Sequence, residues 1–390
     1  LAAQSPAAAA QAERADEFVA WLGATVYRLD YPSQATTDPA VLKRDADAIL
    51  QGCVDMGMNA VILQVRPSAD ALYPSELYPW SKYLTGAQGT APKNGFDPLA
   101  YWVERAHALG LELHAWVNPF RITKGGAAEF QALTADHPAK LHPDWVVEYE
   151  GDYYFNPGLP EVREYIVRGA EELARKYDID GIHLDDYFYP AAALPTGPPM
   201  PSTARAFPTS ATGAGTMSTS WSRHWGSAST PLIRGCPTAS APPACGRIRA
   251  ACPRAPIPPA AMRATTPPTP TAGNGSRRVD RLHLPPDLLV HRPQEHGLRT
   301  VARWWADTVK GTGVSLYIGM ADYLAGNSDP KSPWYGTTAI ERQLALNDTL
   351  PQVAGEAHFR YRLMAENPEL LALYAEAYGE ESQEPAERPI

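Results

Sequence analysis

The chain has 390 residues, of which 44% are hydrophobic and 20% are charged, and its formal net charge is −9. This much apolar material excludes an intrinsically disordered protein, and no run approaches the roughly 18 apolar residues that a membrane span needs. Because the chain is acidic and carries no basic stripe with interleaved aromatic residues, we do not expect nucleic acid as a partner.

The sequence opens on an alanine-rich stretch. Within residues 1–16 the alanine-rich run ends in Ala-Gln-Ala, which resembles the tail of a secretory signal and its cleavage site. A flexible linker is the alternative interpretation. Neither would contribute to the fold, and the first predicts a secreted or cell-envelope protein.

Apolar runs typical of buried parallel strands alternate with helical patterns along the rest of the chain. Asp38-Pro39 and Asp97-Pro98 each supply an N-cap and a first-turn proline for a helix. Strands separated by helices predict an α/β fold of the (β/α)₈ TIM-barrel type over residues 17–365, followed by a C-terminal helix and tail over 366–390. The six predicted strands are 18–27, 59–66, 111–117, 180–185, 314–320 and 352–359.

A barrel of this type needs eight strands, and the two missing ones fall in a segment of unusual composition. Residues 191–300 hold 19 of the 39 prolines and three of the four cysteines, but none of the 19 tyrosines. Their 12 arginines face only Asp280, Asp287 and Glu295, a balance of +9, so the remaining residues sum to −9 − 9 = −18. The composition therefore marks this window as different from the acidic body of the chain.

Five long segments resemble the glycosyl-hydrolase-like 10 family of bacterial proteins. They are QVRPSADALYPSELYPWSKYLTG from Gln64, GFDPLAYWVERAHALGLELHAWVNPFR from Gly95, FNPGLPEVREYI from Phe155, YDIDGIHLDDYFYP from Tyr177, and ARWWADTVKGTGVSLYIGMADY from Ala302. The resemblance implies a (β/α)₈ glycosidase, and we expect the protein to need no cofactor. It also implies a role at the cell wall, because one branch of the family cleaves peptidoglycan glycan strands stripped of their stem peptides.

Two further strand motifs of the family cannot be read in this chain. With suitable codons, shifted reading frames of Thr238–Ile248 and Arg281–His291 give segments similar to both motifs, in the correct order. We therefore interpret residues 191–299 as out-of-frame sequence that replaces strands five and six, and we expect them to be mostly irregular. A genuine insertion rich in proline, alanine, serine and threonine is the alternative.

Catalytic groups of such barrels lie at the carboxyl ends of the strands, which directs attention to Asp185 and Asp186. Glycoside hydrolysis usually needs two carboxyl groups, but adjacent strand residues face opposite ways. His183 and Asp185 share a face, and GIHLD is similar to the fourth-strand motif of α-amylase-type barrels, in which the aspartate is the nucleophile. We expect Asp185 to be the nucleophile or charge stabiliser and His183 to bind substrate. Asp186 is either the acid/base, an acceptor for sugar hydroxyls, or a loop cap or ion-pair partner.

Polar groups near the ends of the second and third strands are candidates to bind sugar hydroxyls. Gln64 and Arg66 end the second strand on one face, and His114 and Asn118 bracket the end of the third. Arg121 follows and could fix a carboxylate. As alternatives, His114 is a hydrogen-bonded core group and Arg121 is a structural partner of Asp185.

Three aromatic residues, Trp80, Trp116 and Tyr187, offer flat faces to sugar rings, although any single aromatic residue is more often part of a core. No spacing of His, Asp or Glu suggests a metal site. The leading hypothesis is a glycosidase whose partner is the polysaccharide of the bacterial cell wall. The alternative is a non-catalytic glycan-binding barrel, since no convincing second carboxylate is found.

Overall fold

A computed structural model describes residues 18–185, 250–251, 281–284, 298–312 and 314–378. Its strands are β1 Phe18–Gly23, β2 Ala60–Arg66, β3 Glu112–Val117, β4 Arg121–Thr123, β5 Val146–Tyr149, β6 Asp152–Phe155, β7 Gly181–Leu184, β8 Ala250–Ala251, β9 Arg281–Leu284, β10 Ser315–Met320 and β11 Val353–His358. Its α-helices are α1 Pro39–Asp55, α2 Lys82–Thr85, α3 Pro98–Ala108, α4 Gly126–Gln131, α5 Pro138–Leu141, α6 Pro160–Lys176, α7 Leu298–Val309, α8 Thr338–Asn347, α9 Tyr361–Ala365 and α10 Pro368–Tyr378.

Six strands form one curved, all-parallel sheet in the order β7-β3-β2-β1-β11-β10. Each coincides with one of the six predicted strands to within a few residues, so the prediction of a mixed α/β fold with a parallel sheet is confirmed. Helices connect successive strands of this sheet, and the carboxyl ends of the strands therefore meet at one edge.

The helix boundaries follow from local chemistry that the sequence displays. The Asp38 carboxylate accepts a hydrogen bond from the main-chain N–H of Ala40 at 3.0 Å, and Pro39 is the first residue of α1. Asp97 likewise accepts hydrogen bonds from the N–H groups of Leu99 and Ala100 at the start of α3. Each carboxylate supplies an acceptor for N–H groups that have no partner within the helix.

The curved sheet separates two apolar cores. The larger lies between the outer face of the sheet and the helices; Leu63 and Leu113 contribute to it from the strands and Trp102 from α3. The smaller lies on the inner, concave face, where Ile62 and Trp116 pack with neighbouring strand residues. Parallel strands covered on both faces explain the continuous apolar runs in the sequence.

A three-stranded antiparallel sheet, in the order β4-β6-β5, follows β3 and was not predicted. Its hairpin turns at Glu150 and Gly151, which have φ values of 51° and 85°. Two consecutive left-handed residues are the geometry of a tight hairpin turn, and glycine adopts it at little cost.

Two short strands come from the window of unusual composition. The backbone of β8 pairs with β7, and the backbone of β9 pairs with β10. Strand β9 begins at Arg281, the first residue of one stretch in which a family strand motif was expected. The remainder of 191–297 other than β8 and β9 lies outside the described residues, as do the alanine-rich residues 1–17.

Helix α10 packs against the outer side of the sheet through a buried polar network. Asp322 accepts hydrogen bonds from Nδ1 of His358 at 3.2 Å and from the hydroxyl of Tyr374. The Tyr378 hydroxyl lies 3.1 Å from Nε2 of His358 and 3.3 Å from Glu356.

None of the described helices is long and apolar enough to cross a membrane.

Candidate active site

The pairing of neighbouring strands brings together the residues at the centre of the candidate site. Gln64 of β2 lies beside Trp116 of β3, and Trp116 lies beside His183 of β7. Two residues further along the chain, Asn118 and Asp185 follow β3 and β7 at the same edge of the sheet. The alternation of strand side chains places all five candidates toward the concave face at its carboxyl end.

Asp185 is the carboxylate of this cluster. Its Oδ2 lies 3.4 Å from Nε2 of His183, and its side chain is 14% exposed, whereas that of His183 is only 3% exposed. The main-chain N–H of Asp185 is 3.4 Å from the carbonyl oxygen of Val117. The carboxylate is thus partly open to solvent while its histidine neighbour lies buried behind it.

Trp116 forms the aromatic floor of the site. Its ring is edge-on to the ring of His183, with 6.1 Å between centroids, and to that of Phe359 at 6.5 Å. Within the described part of the chain the buried indole N–H of Trp116 has no hydrogen-bond partner. A buried donor without a partner costs free energy unless a bound group satisfies it, so this N–H is suited to a ligand oxygen.

Gln64 fixes the loop that follows β1. Its Oε1 accepts hydrogen bonds from the main-chain N–H groups of Thr25 and Val26 at 2.9 and 2.8 Å, and its Nε2 donates to Oδ1 of Asn118 at 3.0 Å. The hydroxyl of Thr25 donates to the main-chain oxygen of Gln64. Sequence reasoning missed Thr25, because a lone threonine after a strand carries no distinguishing signal.

Arg66 and Arg121 brace the loops that follow β2 and β3. Arg66 donates to the carbonyl oxygen of Asn118 at 2.5 Å, while Arg121 donates through Nε and Nη2 to that of Pro67 at 3.1 and 3.0 Å. Each arginine therefore holds the main chain of the other loop. The guanidinium of Arg66 also lies 4.4 Å from the centre of the Tyr78 ring.

Two expectations about position are corrected. Gln64 and Arg66 do not lie on one face: the pairing of β2 with β3 shifts register between them, so that Gln64 lies beside Trp116 of the inner core and Arg66 beside Val117 of the outer core. His114 does not bracket the carboxyl end of β3. It lies 5.2 Å from Phe18, the first residue of β1, and its Nε2 is 3.0 Å from Glu112, so it belongs to the amino end of the concave face.

The other predicted site residues lie apart or outside the described residues. Trp80 is partly buried in the loop after β2, where its main chain bridges Ala71 and its ring packs against the outer core. Asp186 and Tyr187 follow Asp185 directly but fall outside the described residues. Their roles stay predictions.

Two buried titratable groups lie beneath the loops next to the site. Asp70 is fully buried, and its burial raises the pKa of the carboxyl group to about 6. Burial lowers the pKa of His137 to about 4, and its ring caps α5 by accepting from the N–H of Ala139 at 3.1 Å. Gln88 connects the two loops, since its amide donates to Asp70 and accepts from the N–H of Thr134.

No group of three or more His, Cys, Asp or Glu side chains in the described ranges could hold a metal ion. The described residues of the site supply a carboxylate, an imidazole, amides and an indole at the carboxyl edge of a parallel sheet. That combination suits the binding of sugar hydroxyls and the stabilisation of positive charge at an anomeric carbon.

Comparison with known sequences decides the family. Residues 19–221 match the family described as glycosyl hydrolase-like 10. The chain is similar to glycosyl hydrolase YngK of Bacillus subtilis (36% identity, 89% of this chain and 68% of the relative) and to glycosyl hydrolase DigH of Escherichia coli K12 (30% identity, 87% and 82%). The chain belongs to this family. The resemblance of the five segments is thereby confirmed.

Among solved structures, the fold is similar to the glycoside hydrolase domain of PgaB from Bordetella bronchiseptica. The TM-score is 0.47 at 14% identity, with 94% of this chain and 99% of that chain covered.

Proposed function

We propose that the protein is a glycoside hydrolase that acts on peptidoglycan-type glycan strands of the bacterial cell wall. One observation carries the proposal. In a chain of the glycosyl hydrolase-like 10 family, a partly exposed carboxylate, Asp185, lies 3.4 Å from His183 at the carboxyl end of a parallel strand, beside the indole of Trp116. Catalytic groups of parallel βα folds lie at this end of the strands.

The proposed mechanism assigns Asp185 as nucleophile or as stabiliser of the positive charge that develops at the anomeric carbon. His183 holds the Asp185 carboxylate in place, and Trp116 supplies an indole N–H and an aromatic surface to the sugar. Gln64 and Asn118 lie buried at the same edge, where their hydrogen bonds position the loops that follow β1 and β3. Asp186 acts as the acid that protonates the leaving oxygen, after which a water molecule adds to the anomeric carbon.

We further propose that the curved sheet closes as a complete (β/α)₈ barrel. In support, β8 pairs with β7 and β9 pairs with β10, and one register position, Ala251 with Arg281, joins β8 to β9. Strands five and six of the barrel would then come from the window of unusual composition. A closed barrel leaves no strand edge open for pairing with another chain.

The proposed substrate and location are supported by the family and by the chemistry of the site. The proposed substrate is a polysaccharide, because the site offers hydrogen-bonding amides and aromatic rings without a phosphate loop or a basic stripe. The glycan strands of the cell wall lie outside the cytoplasm, so we propose that the protein works in the cell envelope. The alanine-rich residues 1–16 would fit the end of an export signal.

The test uses protein expressed from the resequenced gene and incubated with peptidoglycan strands that have been stripped of stem peptides. We expect new reducing ends, and we expect Asp185→Asn to lower their rate of formation by about 10³-fold, because the variant cannot place a negative charge at the anomeric carbon. Asp38→Asn is the matched control, since asparagine caps α1 equally well. Absence of new reducing ends with the parent protein would contradict the proposal.

A non-catalytic glycan-binding barrel is the second candidate. One observation favours it. Among the described strand ends, Asp185 supplies the single carboxylate that lies with Trp116 and His183 on the concave face. A binder would retain its affinity for glycan strands in both the parent and Asp185→Asn, and neither would release reducing ends. An enzyme would lose turnover in the variant while keeping its affinity.

A further inference from the structure

Tyr27 is an exposed aromatic residue in the loop that follows β1. Its side chain is 50% exposed, although the residues on either side of the loop, Val26 and Asp30, are buried. The loop starts at Thr25 and Val26, whose N–H groups are held by Gln64 of the candidate site. The phenol ring is therefore placed at the carboxyl edge of the sheet. Tyr27 directly follows Val26, which Gln64 connects to Asn118.

The backbone at Tyr27 is strained. Tyr27 and Arg28 both have φ of 54°, in the left-handed region that residues other than glycine and asparagine seldom adopt. Such a conformation costs free energy and persists only where the surroundings fix it. Here Asp30 fixes it, because its carboxylate accepts hydrogen bonds from the N–H groups of Ala24 and Arg362 at 2.9 and 3.0 Å.

The ring is supported from below by a second tyrosine. The centroids of Tyr27 and the buried Tyr83 are 5.4 Å apart at an interplanar angle of 64°, an edge-to-face arrangement. The Lys82 ammonium lies 5.2 Å from the centre of the Tyr83 ring and forms an ion pair with Glu129. The exposed Tyr27 ring thus packs against a buried tyrosine.

We propose that Tyr27 is the platform of a sugar-binding subsite at the rim of the active site, where it packs against the C–H face of a pyranose ring of the glycan. This inference rests on the proposed function and adds a subsite away from the scissile bond. A pyranose presents an apolar C–H face, and one exposed aromatic ring can cover that face. The strain at Tyr27 is explained if the backbone conformation serves to expose the ring.

A sugar fits this surface better than a protein does. The large apolar side chains that are exposed in the described ranges are scattered over separate elements: Tyr27, Val54, Leu141, Trp304 and Tyr335. A stable protein interface buries on the order of 1,000 Å² and has an apolar centre. A single exposed ring offers far less area than that, but it covers one face of one sugar.

The experiment compares Tyr27→Asn and Tyr27→Trp with the parent protein. Asparagine tolerates the left-handed backbone and removes the ring, while tryptophan keeps an aromatic platform. The matched control is Trp304→Ala, because Trp304 is also exposed and edge-on to an aromatic neighbour, Trp305 at 4.7 Å, but lies on α7 away from the site. The substrates are stem-free glycan oligomers of increasing length, and the measurements are kcat, KM and the thermal midpoint.

We expect Tyr27→Asn to raise KM about tenfold for long oligomers, because one aromatic contact is lost. The variant should leave kcat unchanged, and it should leave KM unchanged for the shortest oligomers that are cleaved. Tyr27→Trp and Trp304→Ala should behave as the parent does. An unchanged KM in Tyr27→Asn, or a loss that is the same at every oligomer length, would overturn the subsite while the parent protein still cleaves. If the parent neither binds nor cleaves any oligomer, the proposed function itself fails, and the subsite falls with it.

Discussion

At the scale of single residues, the two buried titratable groups beneath the β2 and β3 loops act in opposite directions on stability. The folded state keeps a proton on Asp70 up to a pKa of about 6, well above the usual 3.8, so ionisation of Asp70 reduces stability as pH rises through this window. The folded state keeps His137 neutral down to about pH 4, so its contribution is present above its usual 6.5 and lost as pH falls. The two contributions offset each other between pH 4 and 6.

Substitution of Asp70 should reveal how its carboxyl group contributes to the pH dependence of stability. In Asp70→Asn the penalty for a buried charge is removed, so its free energy of unfolding relative to the parent should increase from pH 4 to pH 6 by about 2–3 kcal/mol. Urea unfolding at several pH values measures this difference. Asp38→Asn, an exposed helix cap, should stay within about 0.5 kcal/mol of the parent. A difference for Asp70→Asn that does not change with pH would show that the carboxylate is not held protonated.

Strand alternation explains which site residues could be predicted from the sequence. Trp116, His183 and Asp185 lie on regular strands or one residue past an end, where a spacing of two residues fixes the face. The position of Arg66 could not be predicted because a shift in strand register separates it from Gln64. Tyr27 was missed because nothing in a row of apolar letters reveals a left-handed backbone.

At the scale of elements, the attachment of α10 depends on the buried polar network around Asp322. Tyr374 is fully buried, and its burial raises the pKa of its hydroxyl group well above the usual value, so this hydroxyl stays a hydrogen-bond donor to the Asp322 carboxylate. Removing the donor leaves a buried carboxylate with one partner fewer. The penalty for such a group exceeds the net worth of an ordinary hydrogen bond.

Tyr374→Phe should therefore lower the free energy of unfolding by about 1–3 kcal/mol and increase hydrogen exchange in α10. The matched variant is Tyr361→Phe, whose hydroxyl donates to the carbonyl oxygen of Ala48 at 3.3 Å. It should cost less than about 1 kcal/mol, because a main-chain carbonyl carries no full charge. Equal losses in the two variants, measured by urea unfolding, would contradict a special role for the Asp322 network.

The elements were the most predictable level of this structure. Runs of β-branched and apolar residues indicate buried parallel strands, and aspartate before proline indicates where a helix begins. The antiparallel sheet β4-β6-β5 could not be predicted, because its strands have only three or four residues and are too short for a periodic signal. Glu150-Gly151 was the available clue, since a glycine in a two-residue turn between alternating residues indicates a hairpin.

At the scale of the whole molecule, the charge and proline content of residues 191–299 set them apart from a body that carries a charge of −18. Our proposal that this stretch is out of frame predicts single-base errors in the coding DNA. Resequencing should find them, and the corrected chain should contain tyrosines and acidic residues there and bring the two missing family motifs into view. A single continuous frame without base errors would contradict the proposal and leave a genuine insertion.

The crossed bracing by Arg66 and Arg121 has a consequence for engineering. Because each guanidinium donates to a carbonyl oxygen of the other loop, the conformations of the β2 and β3 loops depend on each other. Transplanting one of them from a homologue would leave a buried guanidinium without the carbonyl oxygen that accepts its hydrogen bonds. Chimeras that aim to exchange specificity should therefore transfer both loops as a pair.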